Sequence, residues 1–130
     1  GLVVGRLLLA ALFLHEGYAK IASIDGSIRY AEAFGVPGWL IPGAIAIEIG
    51  CGLAMLQGRY ARVAAAMLSF FCIVAAVIFH HRFADTNQLL HFEKDLAIAG
   101  GLLVLFAHGG GAWALDACIR AGGGGIALRN

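Results

Sequence analysis

Four runs of this chain stay apolar for about the length a helix needs to cross a bilayer, and that leaves few folds open. At 1.5 Å of rise per residue, about 20 helical residues cover a hydrocarbon core about 30 Å thick. The runs extend from about Leu2 to Ala22, Trp39 to Leu56, Val63 to Phe83 and Phe92 to Trp113. A segment in lipid must satisfy its own backbone donors and acceptors, which a helix does and an isolated strand does not. Composition agrees. Hydrophobic residues are 61% of the chain and charged residues 13%, whereas soluble domains run nearer about 45–50% and 25%. An apolar excess of this size needs a non-aqueous solvent, so the expected surroundings are the lipid bilayer. A net charge of +1 gives no reason to expect a nucleic-acid partner.

The connections between the runs are short, which makes sequential helices antiparallel neighbours. The expected fold is therefore an all-α integral membrane protein, an antiparallel up-down bundle of four transmembrane helices. Residues 1–121 form that domain, and 122–130, opening on the glycines from Gly122 to Gly125, are expected to be a flexible tail. Ser23 to Gly38 is the longest loop, with Asp25-Gly26 as a turn signal. In it, Tyr30, Glu32 and Phe34 suit a short amphipathic piece on the membrane surface. Gln57 to Arg62 is a tight turn, and Arg82 to His91 a polar, histidine-flanked one. Close pairs of small residues, such as Ala46/Gly50 and Ala97/Gly101, let helix backbones approach in lipid. A cleaved secretion signal has a short apolar region, whereas the first run continues for a full span and ends in charges, so a span is expected there instead. Gly1 in place of Met leads us to expect a few residues before it.

Basic residues near the span ends orient the chain. Arg6, Arg59, Arg62, Arg120 and Arg129 fall on one side, and Lys20, Arg29, Arg82 and Lys94 on the other. The expectation is a multi-pass protein of the bacterial inner membrane with both termini in the cytoplasm. Tyr18, Trp39, Tyr60 and Trp113 suit the interfacial belts.

Ionisable side chains inside spans are costly and usually face a protein interior. Up to Leu14 only Arg6 is charged, and then His15, Glu16, Tyr18 and Lys20 arrive together. Glu48 sits near the middle of the second run. His80 and His81 close the third, and His91, Glu93, Lys94 and Asp95 open the fourth. Antiparallel winding brings all of these toward one leaflet. The candidate polar cavity or ligand site is therefore Glu48, Lys20, His15, Glu16, His80, His81 and Asp95. Two readings stand for the acid at half depth: structural pairing, with Lys20 as partner, or a proton or ligand site. Glu16 and Lys20, four residues apart, also suit a helix ion pair that simply neutralises itself. His15 reads first as an interfacial hydrogen-bonding residue.

No two histidines have a recognisable ligand spacing, so no haem or metal site is expected. The cysteines Cys51, Cys72 and Cys118 make no Cys-x-x-Cys pair, and the first two read as small core residues. There is no phosphate loop, nucleophile elbow or Cys/His dyad, so no catalytic residue is assigned. No inverted repeat of the transporter kind is visible.

Three sets of residues resemble a known family. The first is Arg6-Leu-Leu-Leu-Ala followed by Phe13-x-x-x-Gly17-x-x-Lys20. The second is Glu48-x-x-x-Gly52 followed by Gly58 and Arg62. The third is Lys94, Gly100-Gly101, Gly109 to Gly111, and Asp116 after Trp113. In order and spacing they are similar to the DoxX family of small bacterial membrane proteins. The resemblance implies four membrane helices, with Arg6, Gly17, Lys20, Glu48, Gly52 and Arg62 as the motif positions. That family takes its name from a subunit of a thiosulfate:quinone oxidoreductase, and other members are linked to membrane redox complexes and oxidative stress. Nothing in this chain is a sulfur-handling motif. The expected function is a membrane subunit associated with a quinone-linked redox complex, with no intrinsic cofactor and a quinone or lipid in its polar cavity. If it is an enzyme, it is one only as part of such an oxidoreductase. The alternative is a non-catalytic accessory subunit packing against other membrane subunits.

Overall fold

The computed structural model describes residues 1–123, and there the chain is all helix and turn. Six α-helices follow one another: α1 (Leu2–Ala22), α2 (Ile24–Ala33), α3 (Ile41–Gln57), α4 (Ala61–Phe79), α5 (Thr86–His108) and α6 (Leu115–Gly123). A 3-10 turn at Gly38–Leu40 leads into α3. Three stretches are long and apolar enough to cross a membrane: Leu2–Ala22, Gly38–Gln57 and Ala61–Phe79. α5 is also long, but any stretch of it that could span contains Glu93, Lys94 and Asp95.

Local signals account for the helix ends. Pro42 stands in the first turn of α3, where its missing N–H is no loss. Gly58 ends that helix in the left-handed conformation, φ 72°, and the Arg59 N–H donates back to the Ala54 carbonyl at 3.0 Å. The Asp85 carboxylate caps α5 by accepting from the Asn87 N–H at 2.9 Å.

Four expectations from sequence need correction. The third span ends at Phe79 rather than Phe83, because the chain must already be turning at His80 for α5 to run back along α4. The loop expected from Arg82 to His91 is helical from Thr86 onward, since Asp85 supplies the cap. The fourth run ends at His108, where Gly109 takes φ 82°. A further helix, α6, follows it and was not expected; all but the first two residues of the expected tail lie outside the described part. The Ser23–Gly38 loop contains the short amphipathic helix α2. Its Tyr30 stacks on Phe79 at 5.6 Å, which fixes α2 to the end of α4.

α1 and α3 run antiparallel: Gly17 lies against Glu48 and Ile49, Gly52 against Ala10 and Leu14, and Arg6 against Gly58. Both glycines are close approaches. A β-carbon at Gly17 would meet Ile49 Cδ1 at 2.7 Å, and one at Gly52 would meet Leu14 Cγ at 3.0 Å. α4 and α5 also run antiparallel, with the Ser69 hydroxyl donating to the Ala99 carbonyl at 3.2 Å in the interior. Met55, Leu68 and Leu102 are fully buried among small residues such as Ala10, Ala65 and Ala99. Large apolar side chains point outward, including Leu8, Phe70 and Val77. A water-soluble domain rarely exposes so much contiguous apolar surface, whereas lipid tails accept it.

Candidate functional site

A cavity of about 960 Å³ opens between α1, α2, α3, α4 and α5 at the end of the molecule that holds α2. That is near the top of the usual range for small-molecule sites, about 300–1,000 Å³. Its walls are mostly apolar, with Phe13, Ile47, Phe71 and Ile98 among them. Its polar groups come in two sets.

The first set joins α1 to α3. Lys20 Nζ donates to Glu48 Oε1 at 2.9 Å, and Glu16 Oε2 lies 3.6 Å from the same ammonium. Glu48 is buried, its side chain 4% exposed, and Lys20 is 26% exposed. The helical periodicity explains the convergence. Glu16 and Lys20 are one turn apart on α1, and Gly17 between them lets α3 approach closely enough for Lys20 to reach Glu48. The shorter contact is thus the interhelical one. Glu48 Oε2 is buried and has no hydrogen-bond donor among the described residues.

The second set joins the end of α4 to α5. His80 Nδ1 lies 2.9 Å from Gln88 Oε1, so that ring nitrogen donates to the amide oxygen. His80 Nε2 lies 3.8 Å from Asp95 Oδ2. The His80 ring stacks on His91 at 5.1 Å. Tyr30 of α2 closes the rim, and burial together with the nearby Asp95 charge raises its phenol above the ordinary value.

Of the seven candidate residues, Glu48, Lys20, Glu16, His80 and Asp95 line this cavity, and His15 and His81 do not. His15 is exposed one position before Glu16, turned about 100° away by the helix. His81 is exposed, its Nδ1 held by the Ile78 carbonyl at 2.9 Å. Tyr30, Gln88, His91 and Lys94 also line the cavity, without having been proposed for it. For Gln88 the usable signal was its spacing from His91 and Asp95, three and seven residues along one helix face. Among the described residues, no three His, Cys, Asp or Glu side chains come together as metal ligands would.

The motif positions divide between the two ends. Gly17, Lys20, Glu48 and Gly52 build the contact of α1 with α3 beside the cavity. Arg6 lies at the far end, only 3% exposed, with Nη2 donating to the Trp113 carbonyl at 3.4 Å. Its Nε and Nη1 are buried without an acceptor among the described residues. Sequence reading placed Arg6 as an end charge; the glycines at 58 and 110, which make room for it, were the missed signal.

Comparison with known proteins gives a consistent picture. Residues 1–81 match the model of the DoxX family. The chain is 40% identical over 116 residues to the inner membrane protein YqjF of Escherichia coli, covering 89% of each. It is 29% identical over 122 residues to the inner membrane protein YphA of the same organism, covering 88% of this chain and 87% of that one. No solved structure matches.

Proposed function

Since the chain belongs to the DoxX family, we propose that it is a four-transmembrane subunit of a quinone-linked redox complex whose cavity takes the head of a quinone-like amphipathic molecule. Here α5 is the fourth span, its Glu93, Lys94 and Asp95 lying toward one face of the membrane. Two similar proteins are named as inner membrane proteins, which supports that location. The arginine-rich end, with Arg6, Arg59, Arg62 and Arg120, faces the cytoplasm by the positive-inside rule.

The observation that carries the reading is the pairing of two polar sets across one apolar cavity: Lys20 with Glu48 and Glu16, and His80 with Asp95. Apolar walls suit rings and isoprenoid tails, and a few convergent polar groups fix a head. A bound quinone supplies two-electron chemistry coupled to proton uptake. Lys20, through its ammonium, offers a donor to an oxygen of the head. His80 is placed to pass a proton toward Asp95 or receive one from it. In this reading electrons reach the cavity from a partner subunit.

Purified protein in lipid nanodiscs is titrated with a water-soluble quinone analogue, wild type against Glu48→Gln. Lys20 keeps Glu16 as counter-ion in the variant, so the fold is expected to hold. Freed from its shortest partner, the ammonium shifts, and affinity is expected to fall about tenfold, the worth of one charged hydrogen bond. Unchanged affinity, or no binding to the wild type, removes the quinone reading and leaves the non-catalytic accessory role.

A further inference from the structure

At the opposite end of the molecule from the polar cavity lies a second pocket, of about 430 Å³. It is formed where α4 begins, beside the α5–α6 connection and α6. Arg59, Arg62 and Arg120 line it, with Asp116 as the single acid. Three cations against one anion leave a formal charge of +2. Among the described residues, none of these arginines makes an ion pair with a carboxylate. Asp116 is already committed: its Oδ2 accepts the Ala61 N–H at 3.2 Å, and its own N–H donates to the Gly58 carbonyl at 3.1 Å.

Further features give the pocket its character. Tyr60 sits at its edge in the left-handed conformation, φ 53°, uncommon for a residue with a side chain. That conformation starts α4 directly behind the turn, so Arg62 and Val63 in its first turn both face the pocket. Tyr60 and Trp113, at the same end, are 62% and 82% exposed, as aromatic residues at headgroup depth are. Arg6 is buried close by, with Nη1 3.3 Å from where a β-carbon on Gly110 would stand, and it adds positive charge behind the Gly110 backbone that lines the pocket.

We propose that this pocket binds a phosphate group, carried into it by an anionic phospholipid headgroup or taken up as free phosphate. Arginine presents a planar fork that matches phosphate oxygens and is desolvated more readily than lysine. Basic pockets at the ends of membrane helices are suited to such headgroups.

Native mass spectrometry of the detergent-purified protein tests this, with phosphatidylglycerol or phosphatidylcholine added in equal amounts. The wild type is expected to retain phosphatidylglycerol over phosphatidylcholine, and Arg62→Gln to lose about tenfold of that retention. Arg120→Gln serves as the second variant, because Arg120 is exposed and the fold is expected to tolerate its loss. Thermal denaturation with inorganic phosphate separates the sources. Stabilisation of the wild type but not of the variants assigns free phosphate; lipid retention without it assigns the headgroup. Equal retention of both lipids together with no phosphate effect, or effects that survive both substitutions, overturns the proposal.

Discussion

Replacing Gly58 by alanine is expected to destabilise the protein by about 2–5 kcal/mol, the sum of left-handed strain of about 1–2 and overpacking of about 1–3. The position ends α3 with φ 72°, which glycine adopts freely. It is also enclosed. A β-carbon there would collide with Arg6 Nη1, and would stand 2.6 Å from Ala114 Cα. The arginine cannot simply swing aside, because it is buried between α1 and the α5–α6 connection and donates to the Trp113 carbonyl. Three parts of the chain meet at this glycine, so the damage spreads beyond one turn. The check is thermal denaturation in detergent, followed by helical circular dichroism. Gly100→Ala is the control: nothing lies within 4 Å of a β-carbon at that helical position. That change should stabilise, by up to about 1 kcal/mol of helix propensity. Equal stability of the two variants would refute the packing described for the Arg6 end.

Lys20→Met is expected to cost about 3–5 kcal/mol, the penalty for leaving one member of a buried ion pair behind. Glu48 would keep its place in the interior, and its 2.9 Å partner would be gone. Glu16 offers no help, being an acid itself. The double variant Lys20→Met, Glu48→Gln should regain most of the loss, because removing both charges leaves no uncompensated ion. The same denaturation experiment reads all the variants. A Lys20→Met protein as stable as the wild type would mean that Glu48 does not depend on Lys20, contrary to the geometry described.

Much of this architecture was legible from hydrophobic runs alone. The first, second and third runs mark α1, α3 and α4 to within a turn, apart from the early end at Phe79, because apolar length in lipid maps directly onto helix. α5 was less legible, since Glu93, Lys94 and Asp95 interrupt its apolar pattern and its start depends on the Asp85 cap. α6 was missed because it is only nine residues long and runs into the glycines that read as a tail. In the site, depth was readable and rotation was not. Depth and the reach of a lysine stem made Lys20 one candidate partner for Glu48, beside the reading of a proton or ligand site. His15 and Glu16, however, are equally deep and differ only in which way the helix turns them. His80 and His81 diverge for the same reason, one lining the cavity and the other capping its own helix end. Which rotation prevails is set by Gly17 and Gly52, which choose the face of α1 that meets α3.

In the proposed reading, titratable groups from α1, α3, α4 and α5 share one ligand cavity inside the membrane. Photolabelling tests it most directly: a photoreactive quinone analogue is equilibrated with the protein in lipid nanodiscs, irradiated, and the labelled peptides are mapped. Label is expected on α1 from Leu12 to Lys20 and on α5 from Asn87 to Ile98, and an excess of unlabelled quinone should suppress it. Label confined to outward side chains such as Phe70 and Val77, and indifferent to competitor, would contradict a shared cavity.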